Sequence, residues 1–148
     1  MTKKDLEKQV IMAVREYGIS TVLFRNAVGE KLGVNVTDME CLALLFFKGI
    51  ATPTELSEYT GLSSGATTAM LDRLEKAKLI KRQPNPNDRR GTLIVVEKDS
   101  QKKVGPLFAT TRIAQDELLA SYSEKELEIL LDFFEKFTEI WDQGRKRL

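Results

Sequence analysis

Apolar residues recur at helical spacing near both ends of this chain. Between residues 3 and 26 they lie three or four positions apart, which predicts an amphipathic helix of about six turns. A capping box at Ser123–Glu126, followed by a second apolar stripe, predicts another helix at the far end. The first stripe is Leu6, Val10, Val14, Tyr17, Thr21 and Phe24, and the second is Leu127, Leu130, Leu131, Phe134, Phe137 and Trp141.

Two further long helices are expected between these ends. Thr37–Glu40 has the spacing of a capping box, and the segment CLALLFF that follows is apolar on nearly every side, as in a buried helix. Residues 98–121 have the pattern of a long helix, in which Pro106 is tolerated near the start or forms a kink. The chain is therefore predicted to be mostly α-helical.

The middle of the chain has the spacing of a helix-turn-helix. Thr52 and Glu55 form a capping box around Pro53, and Gly61 suits the left-handed conformation that ends a helix. Ser63 or Ser64 then caps a second helix, whose first turns are small and mildly polar. This spacing predicts a helix-turn-helix at residues 53–76.

A β-hairpin is predicted directly after these helices. Leu79–Arg82 and Thr92–Val96 have the composition of strands, and the connection between them is rich in turn-forming residues and contains two arginines. From Arg73 to Arg90 there are seven basic residues against two acidic ones. A charge run alone is usually a solvated face. Its coincidence with this spacing predicts a winged helix-turn-helix, with a wing at residues 80–96 that would lie beside DNA.

The composition of the whole chain excludes several other classes of function. Lys and Arg number 23 against 22 Asp and Glu in 148 residues, so the basic region matters through its position rather than through the net charge of +1. The absence of histidine and the single cysteine exclude Ser-His or Cys-His catalysis, a disulfide framework and a His-rich metal site. We therefore expect no enzyme activity, no cofactor and no metal.

Two further expectations concern location and the competing class of function. The single cysteine and the charged start MTKKDLEKQV, which is not a signal peptide, favour the cytoplasm. The rival to a DNA-binding protein is a protein-binding adaptor that keeps the winged helix without affinity for DNA. Binding to random duplex DNA at low and high salt would separate the two, because DNA binding must weaken steeply with salt.

The terminal helices carry more apolar surface than one contact requires. Ile129, Phe133 and Ile140 lie partly off the main stripe of the last helix. Packing onto the chain's own core is one explanation, but surplus apolar surface usually marks an interface, so dimerisation is favoured. The predicted organisation is one domain, 1–148, with a winged-helix DNA-binding region at 36–97 and a helical dimerisation region at 1–35 and 98–148. The predicted interface consists of the second stripe together with Leu6, Val10, Val14 and Tyr17.

Two stretches, GLSSGATTAMLDRLEKAKLIKR and PNPNDRRG, resemble the MarR family of bacterial regulators, named for multiple antibiotic resistance. The resemblance covers nearly the whole chain and implies a homodimeric winged-helix regulator whose DNA-reading helix is Ser64 to Lys76. The family's Asp-x-Arg motif falls on Asp88 and Arg90. Asp88 would pair with and position an arginine, while Arg89 or Arg90 would reach a phosphate or the minor groove.

The chain departs from the family pattern at two positions. Lys78 stands where the family usually has glycine after the reading helix, and Ala69 stands where many members have a long polar or basic side chain. We therefore expect base discrimination to depend on Thr67, Thr68, the backbone and DNA shape. The predicted DNA-binding residues are Ser63, Ser64, Gly65, Ala66, Thr67, Thr68, Arg73, Arg82, Asp88, Arg89 and Arg90.

The expected function is sequence-specific transcriptional regulation, as a ligand-responsive repressor that binds a palindromic operator in double-stranded DNA as a homodimer. Family members often bind small aromatic molecules, which implies an effector pocket in this chain. The alternative is that the aromatic residues proposed for the pocket are part of the hydrophobic core. Cys41 lies in an apolar helix and is expected to be a buried structural thiol rather than an oxidant sensor. The candidate pocket residues are Tyr17, Phe24, Phe46, Phe47 and Phe108.

Overall fold

The structure, a computed structural model, describes all 148 residues as six helices and one three-stranded antiparallel sheet. This confirms the predicted fold class, a mostly helical winged helix-turn-helix with a β-hairpin wing. The chain divides into two compact units, Met1–Leu107 and Phe108–Leu148. No helix combines the length and apolar character needed to cross a membrane. The elements are α1 (Lys3–Leu32), α2 (Val36–Lys48), β1 (Ile50–Ala51), α3 (Pro53–Thr60), α4 (Ser64–Lys76), β2 (Ile80–Asn85), β3 (Asp88–Val96), α5 (Ser100–Ala120) and α6 (Glu124–Lys146).

The core of the first unit is the packed centre of the winged helix. Helix α2 contacts α3, α4 and β3, and α3 also packs on α4. Fully burying a large apolar side chain contributes about 1.5–3 kcal/mol, so this core fixes α3 and α4 against the sheet. Its most enclosed side chains are Cys41, Leu42, Leu45, Leu56, Met70, Leu71, Leu74, Leu79, Ile80 and Ile94.

The hairpin is longer than the sequence predicted. The strand order is β1-β3-β2, and pairing runs from Ile80 opposite Val96 out to Asn85 opposite Asp88. The prediction ended the first strand too early, at Arg82, and began the second too late, at Thr92, because the segment from Pro84 to Arg90 was assigned to the connection. Strand β2 lies at the edge of the sheet, where a residue without an N–H is tolerated, and a bulge follows at Pro84/Asn85.

Helix α2 begins earlier than predicted, at Val36. The predicted capping box at Thr37–Glu40 is wrong. Instead, the Asp38 N–H donates to Oδ1 of Asn35 at 2.9 Å, and the Asn35 N–H donates to Oδ2 of Asp38 at 3.1 Å. Asn35 has extended backbone angles, as an N-cap requires, and its amide oxygen satisfies a helix-end donor.

Helix α1 extends beyond its predicted end at Asn26 and finishes at a sharp corner. Gly33 takes the left-handed conformation (φ 74°), and the Val34 N–H donates to the Gly29 carbonyl at 2.8 Å. The backbone of Val34 approaches Gly29 so closely that a Cβ there would lie 2.5 Å from the Val34 carbonyl oxygen. Across this corner, Arg25 of α1 forms an ion pair with Glu40 of α2.

The second unit contains the end of α5 and all of α6. No α6 side chain is fully buried. Leu127, Leu130, Phe133 and Phe137 are half-buried, and the rings of Phe133 and Phe137 lie 4.6 Å apart. Leu131, Phe134 and Trp141 are exposed. Phe133, predicted to lie off the main stripe, therefore shares the half-buried face, and the predicted stripe is divided between two faces.

Candidate nucleic-acid interface

The turn between α3 and α4 is built by local hydrogen bonds. The Glu55 N–H donates to Thr52 Oγ1, and the Thr52 N–H donates back to Glu55 Oε2 at 2.8 Å. That backbone bond, and then the contact with Lys48, hold the pKa of Glu55 below its usual range. Gly61 has φ 71°, and the Ser57 hydroxyl donates to the Leu62 carbonyl at 2.6 Å. The turn therefore closes without strain.

Helix α4 presents its N-terminal end to solvent. Ser63 is the N-cap and accepts the Ala66 N–H on its hydroxyl oxygen at 3.2 Å, which decides between the two serines considered from sequence. Ser63, Ser64, Gly65 and Thr68 are exposed, and Ala66 is half-buried. A helix N-terminus attracts anions, and small side chains let another backbone approach closely. This surface can therefore receive a phosphate or a base edge.

Of the two threonines predicted to read bases, only Thr68 faces solvent. Thr67 is 2% exposed, and its hydroxyl donates to the Ser63 carbonyl at 2.8 Å. Thr67 belongs to the buried face with Met70 and Leu71, so its prediction as a DNA-facing residue is wrong for this conformation. The Thr68 hydroxyl donates to the Ser64 carbonyl at 3.1 Å, and its oxygen keeps free acceptor capacity towards solvent.

Arg73, predicted to contact DNA, is held by a buried carboxylate instead. Its Nε donates to Asp38 Oδ2 at 3.0 Å and its Nη2 donates to Asp38 Oδ1 at 2.8 Å. The Asp38 side chain is fully buried, and its Oδ2 also caps α2. The hydrogen bonds to Asp38 raise the pKa of Arg73. The pair links the start of α2 to the second half of α4.

Arg82, on β2, is also engaged within the chain. Its Nη2 donates to Asp72 at 2.7 Å and its Nη1 donates to Glu75 at 2.9 Å, while its backbone N–H donates to the same Glu75 carboxylate. These contacts fasten the wing to α4. Both carboxylates remain well exposed, so this link is weaker than that of Arg73.

The tip of the wing carries two exposed arginines with no acidic partner. Arg89 and Arg90 follow Asp88 at the start of β3, after the turn at Pro86–Asn87, and form no ion pair. The resemblance implied that Asp88 pairs with an arginine side chain, but it does not. Its Oδ1 accepts a hydrogen bond from the backbone N–H of Arg90 at 3.0 Å instead. A two-residue loop of this kind lets an Asp side chain bond the backbone just ahead of it. Asp88 therefore orients the Arg90 backbone and leaves both guanidinium groups free.

Lys78 performs the task of the glycine that the family pattern would place there. The Leu79 N–H donates to the Leu74 carbonyl and the Lys78 N–H donates to the Glu75 carbonyl, which is a Schellman motif at the end of α4. This motif requires a left-handed residue, and Lys78 has φ 57°. Lys78 therefore takes the left-handed position that glycine usually occupies in this motif, and the lysine carries the conformational cost.

Cys41 is fully buried, as predicted. Burial, and secondarily the charge of Asp38, raise the pKa of the Cys41 thiol to about 12. The reactive thiolate form is therefore scarce at neutral pH.

Of the five aromatic residues proposed for an effector pocket, Phe46 lines a cavity of about 220 Å³, between the end of α2 and the segment that joins β3 to α5. The other four are not among the residues that line this cavity. Phe47 is 89% exposed and Tyr17 is also exposed, while Phe24 and Phe108 are half-buried in their separate units. The other lining residues are Leu45, Gly49, Val96, Glu97, Lys98 and Gln101.

The residues predicted to dimerise remain largely uncovered in one chain. Leu6, Val10 and Tyr17 of α1 are exposed and Val14 is half-buried. On α6, Trp141 is 70% exposed. Exposed large apolar side chains in such number are uncommon on a protein that functions alone.

Comparison with known proteins identifies relatives of this chain. The model of the MarR family matches residues 34–92, which span α2 to the start of β3. A curated relative, the uncharacterized HTH-type transcriptional regulator YcgE of Bacillus subtilis, is 37% identical over 147 residues. That match covers 99% of this chain and 96% of the relative.

Solved structures show the same fold. RV1404 from Mycobacterium tuberculosis superposes with a TM-score of 0.68 at 23% identity, covering 94% of each chain. A MarR variant from Escherichia coli, crystallised with operator DNA, has a TM-score of 0.62 at 21% identity and covers 93% of this chain and 99% of that one. At these identities the likeness concerns the fold alone.

Proposed function

We propose, because this chain belongs to the MarR family of HTH-type transcriptional regulators, that it represses transcription as a homodimer on a palindromic operator and responds to a small aromatic effector. The chain is a DNA-binding transcriptional regulator by family. The finer parts of the proposal concern how it holds DNA, how it assembles and what releases it.

The observation that carries the proposal is the pair of unpartnered arginines at the wing tip. Arg89 and Arg90 have no carboxylate within ion-pairing distance, whereas Arg73 and Arg82 do. A positive side chain without an internal partner can bind a phosphate without giving up another bond. In the proposal, the wing arginines hold the DNA backbone while Ser64, Gly65 and Thr68 face the major groove.

Assembly as a dimer is supported by the exposed apolar side chains of α1 and α6. A two-fold axis would cover the same patch on both copies and present two α4 helices to successive turns of DNA, roughly 34 Å apart. A palindromic operator matches that symmetry. In this proposal the protein works in the cytoplasm, where its operator lies.

The cavity lined by Phe46 is the feature of the structure that supports a response to an effector. The cavity beside Phe46 is smaller than the roughly 300–1,000 Å³ typical of ligand sites, so an aromatic effector would need additional walls from the dimer. Binding that favoured one arrangement of the dimer would change its affinity for the operator.

Salt-dependent binding tests the central claim. A labelled duplex, selected from a random library with the wild-type protein, is titrated by fluorescence anisotropy at several salt concentrations. Each phosphate contact contributes a slope of about −0.9 in log K against log salt, so Arg90→Ala should lower the magnitude of the slope by about one. Its affinity should fall about equally for selected and random duplexes.

Two outcomes would contradict the proposal. A wild-type protein that bound no duplex at low salt would be an adaptor and not a regulator that contacts DNA. A chain ending at Tyr122 lacks α6 and should be monomeric by light scattering and lose specific binding. If that shortened chain stayed dimeric, α6 would not form the interface.

A further inference from the structure

We propose that Asp38 and Arg73 form a clamp that sets the orientation of α4 against α2, so that Arg73 supports DNA binding by position and not by contact. This inference rests on the proposed DNA-binding function. It assigns a positioning role to Asp38. This residue lies on α2, 35 positions before Arg73 in the sequence, and would hold the reading helix α4 in place.

The Asp38 carboxylate is a fixed anchor. Its oxygens accept three hydrogen bonds: one from the Asn35 N–H and two from the Arg73 guanidinium. Asp38 is also bound through its own N–H to the Asn35 side chain. Because the carboxylate is part of the α2 cap, it cannot follow the guanidinium if Arg73 turns away.

The Arg73 guanidinium is therefore fixed in place by Asp38, although 43% of its side chain is exposed. Turning it towards a phosphate would leave the fully buried Asp38 carboxylate without its charged partner, which is strongly unfavourable. Arg82 differs, because Asp72 and Glu75 are exposed side chains that water can solvate if Arg82 leaves. Of the two engaged arginines, Arg73 is the one that the fold holds in place.

The geometry of the pair restrains α4. Arg73 lies on the helix between the buried face of Met70 and Leu74 and the exposed face that includes Thr68 and Ala69. Two parallel hydrogen bonds to a planar guanidinium fix direction as well as distance. They oppose rotation of α4 about its own axis, and such a rotation would move Thr68 away from its outward position.

Replacement by lysine separates position from contact. Lysine keeps the charge but cannot form the two-pronged bond, whereas a phosphate accepts a lysine readily. With the selected duplex as probe, Arg73→Lys should weaken binding by roughly tenfold or more at unchanged salt slope. Binding to a scrambled duplex should change less. Arg15→Lys, an exposed α1 arginine without an ion pair, is the matched control and should bind as the wild type does.

Neutral replacements provide a second, independent measurement. The double variant Asp38→Asn with Arg73→Gln removes both charges and leaves no buried carboxylate unpaired. Its salt slope should equal that of the wild type, whereas Arg90→Gln should lower the magnitude of the slope by about 0.9. Circular dichroism confirms that each variant is folded before its binding is compared.

The inference is overturned if Arg73→Lys binds the selected duplex as tightly as the wild type. It is also overturned if the magnitude of the salt slope falls by about 0.9 in the double variant. The first result would show that the two-pronged bond does not position α4, and the second would make Arg73 a phosphate contact. Failure of the underlying function is a separate result, since the wild-type protein would then show no salt-dependent binding to any duplex.

Discussion

Replacing Gly29 by alanine should destabilise the protein, although alanine is the better helix former. Gly29 lies in the last turns of α1, and a Cβ on it would lie 2.5 Å from the Val34 carbonyl oxygen. The atom that a Cβ at Gly29 would meet belongs to the backbone of Val34, so the clash cannot be relieved by moving a flexible side chain. The α1–α2 corner must open to admit the methyl group.

The net effect follows from three contributions. Overpacking of this kind costs about 1–3 kcal/mol. Opening the corner also loosens the bond from the Val34 N–H to the Gly29 carbonyl, worth about 0.5–1.5 kcal/mol. The helical preference of alanine returns about 1 kcal/mol. The free energy of unfolding should therefore fall by about 0.5–3.5 kcal/mol, with the exact loss set by how far the corner can relax.

Gly18→Ala is the matched control on the same helix. A Cβ at Gly18 meets nothing within 4 Å, so only the helical preference acts and the chain should gain about 0.5–1 kcal/mol. Both variants are unfolded in urea and followed by circular dichroism at one protein concentration, because dimerisation would couple stability to concentration. A Gly29→Ala protein as stable as the wild type would refute the close approach at this corner.

Three further predictions concern single positions. Lys78→Gly should raise the free energy of unfolding by about 1 kcal/mol, while Lys78→Ala should give no such gain, because only glycine relieves the left-handed backbone. In selections from randomised duplexes, Thr68→Ala should change the preferred sequence at a cost of roughly 1–3 kcal/mol at one base step. The buried variant Thr67→Ala should lower stability and keep the wild-type preference. The Cys41 thiol should react with Ellman's reagent only in denaturant, since burial raises its pKa to about 12, and rapid reaction of the folded protein would contradict this.

The parts of this fold that the sequence predicted are those governed by near neighbours. The capping box of Thr52 and Glu55, the left-handed Gly61 and the Ser63 cap each join residues three or four apart. Such pairs are visible in a sequence, and they place the helix-turn-helix correctly. The error at Thr37–Glu40 arose because Asn35 and Asp38 offer a competing capping box two residues earlier, and that box is the one that forms.

The parts that the sequence did not predict depend on contacts between distant residues. Arg73 and Asp38 are 35 positions apart, so the arginine looked like one more charge in a basic region. Thr67 and Thr68 are adjacent and chemically alike, and only the packing of α4 on the core decides which one faces solvent. The available signal for Asp38 was an acidic residue in the first turn of a helix whose body is apolar, since a buried carboxylate needs a partner.

The ion pairs around α4 predict separate sources for the affinity and the specificity of DNA binding. Asp38 engages Arg73 on one side of the helix, and Asp72 and Glu75 engage Arg82 on the other, so neither arginine adds a free positive charge near the bases. Around α4 and the wing, the basic side chains without an ion pair are Arg89 and Arg90 on the wing and Lys76, Lys78 and Lys81 at and beyond the end of α4. Salt-sensitive attraction to the DNA backbone should therefore come chiefly from the wing. Discrimination among sequences should come from the small, weakly charged start of α4, and it should persist when added salt has weakened binding as a whole.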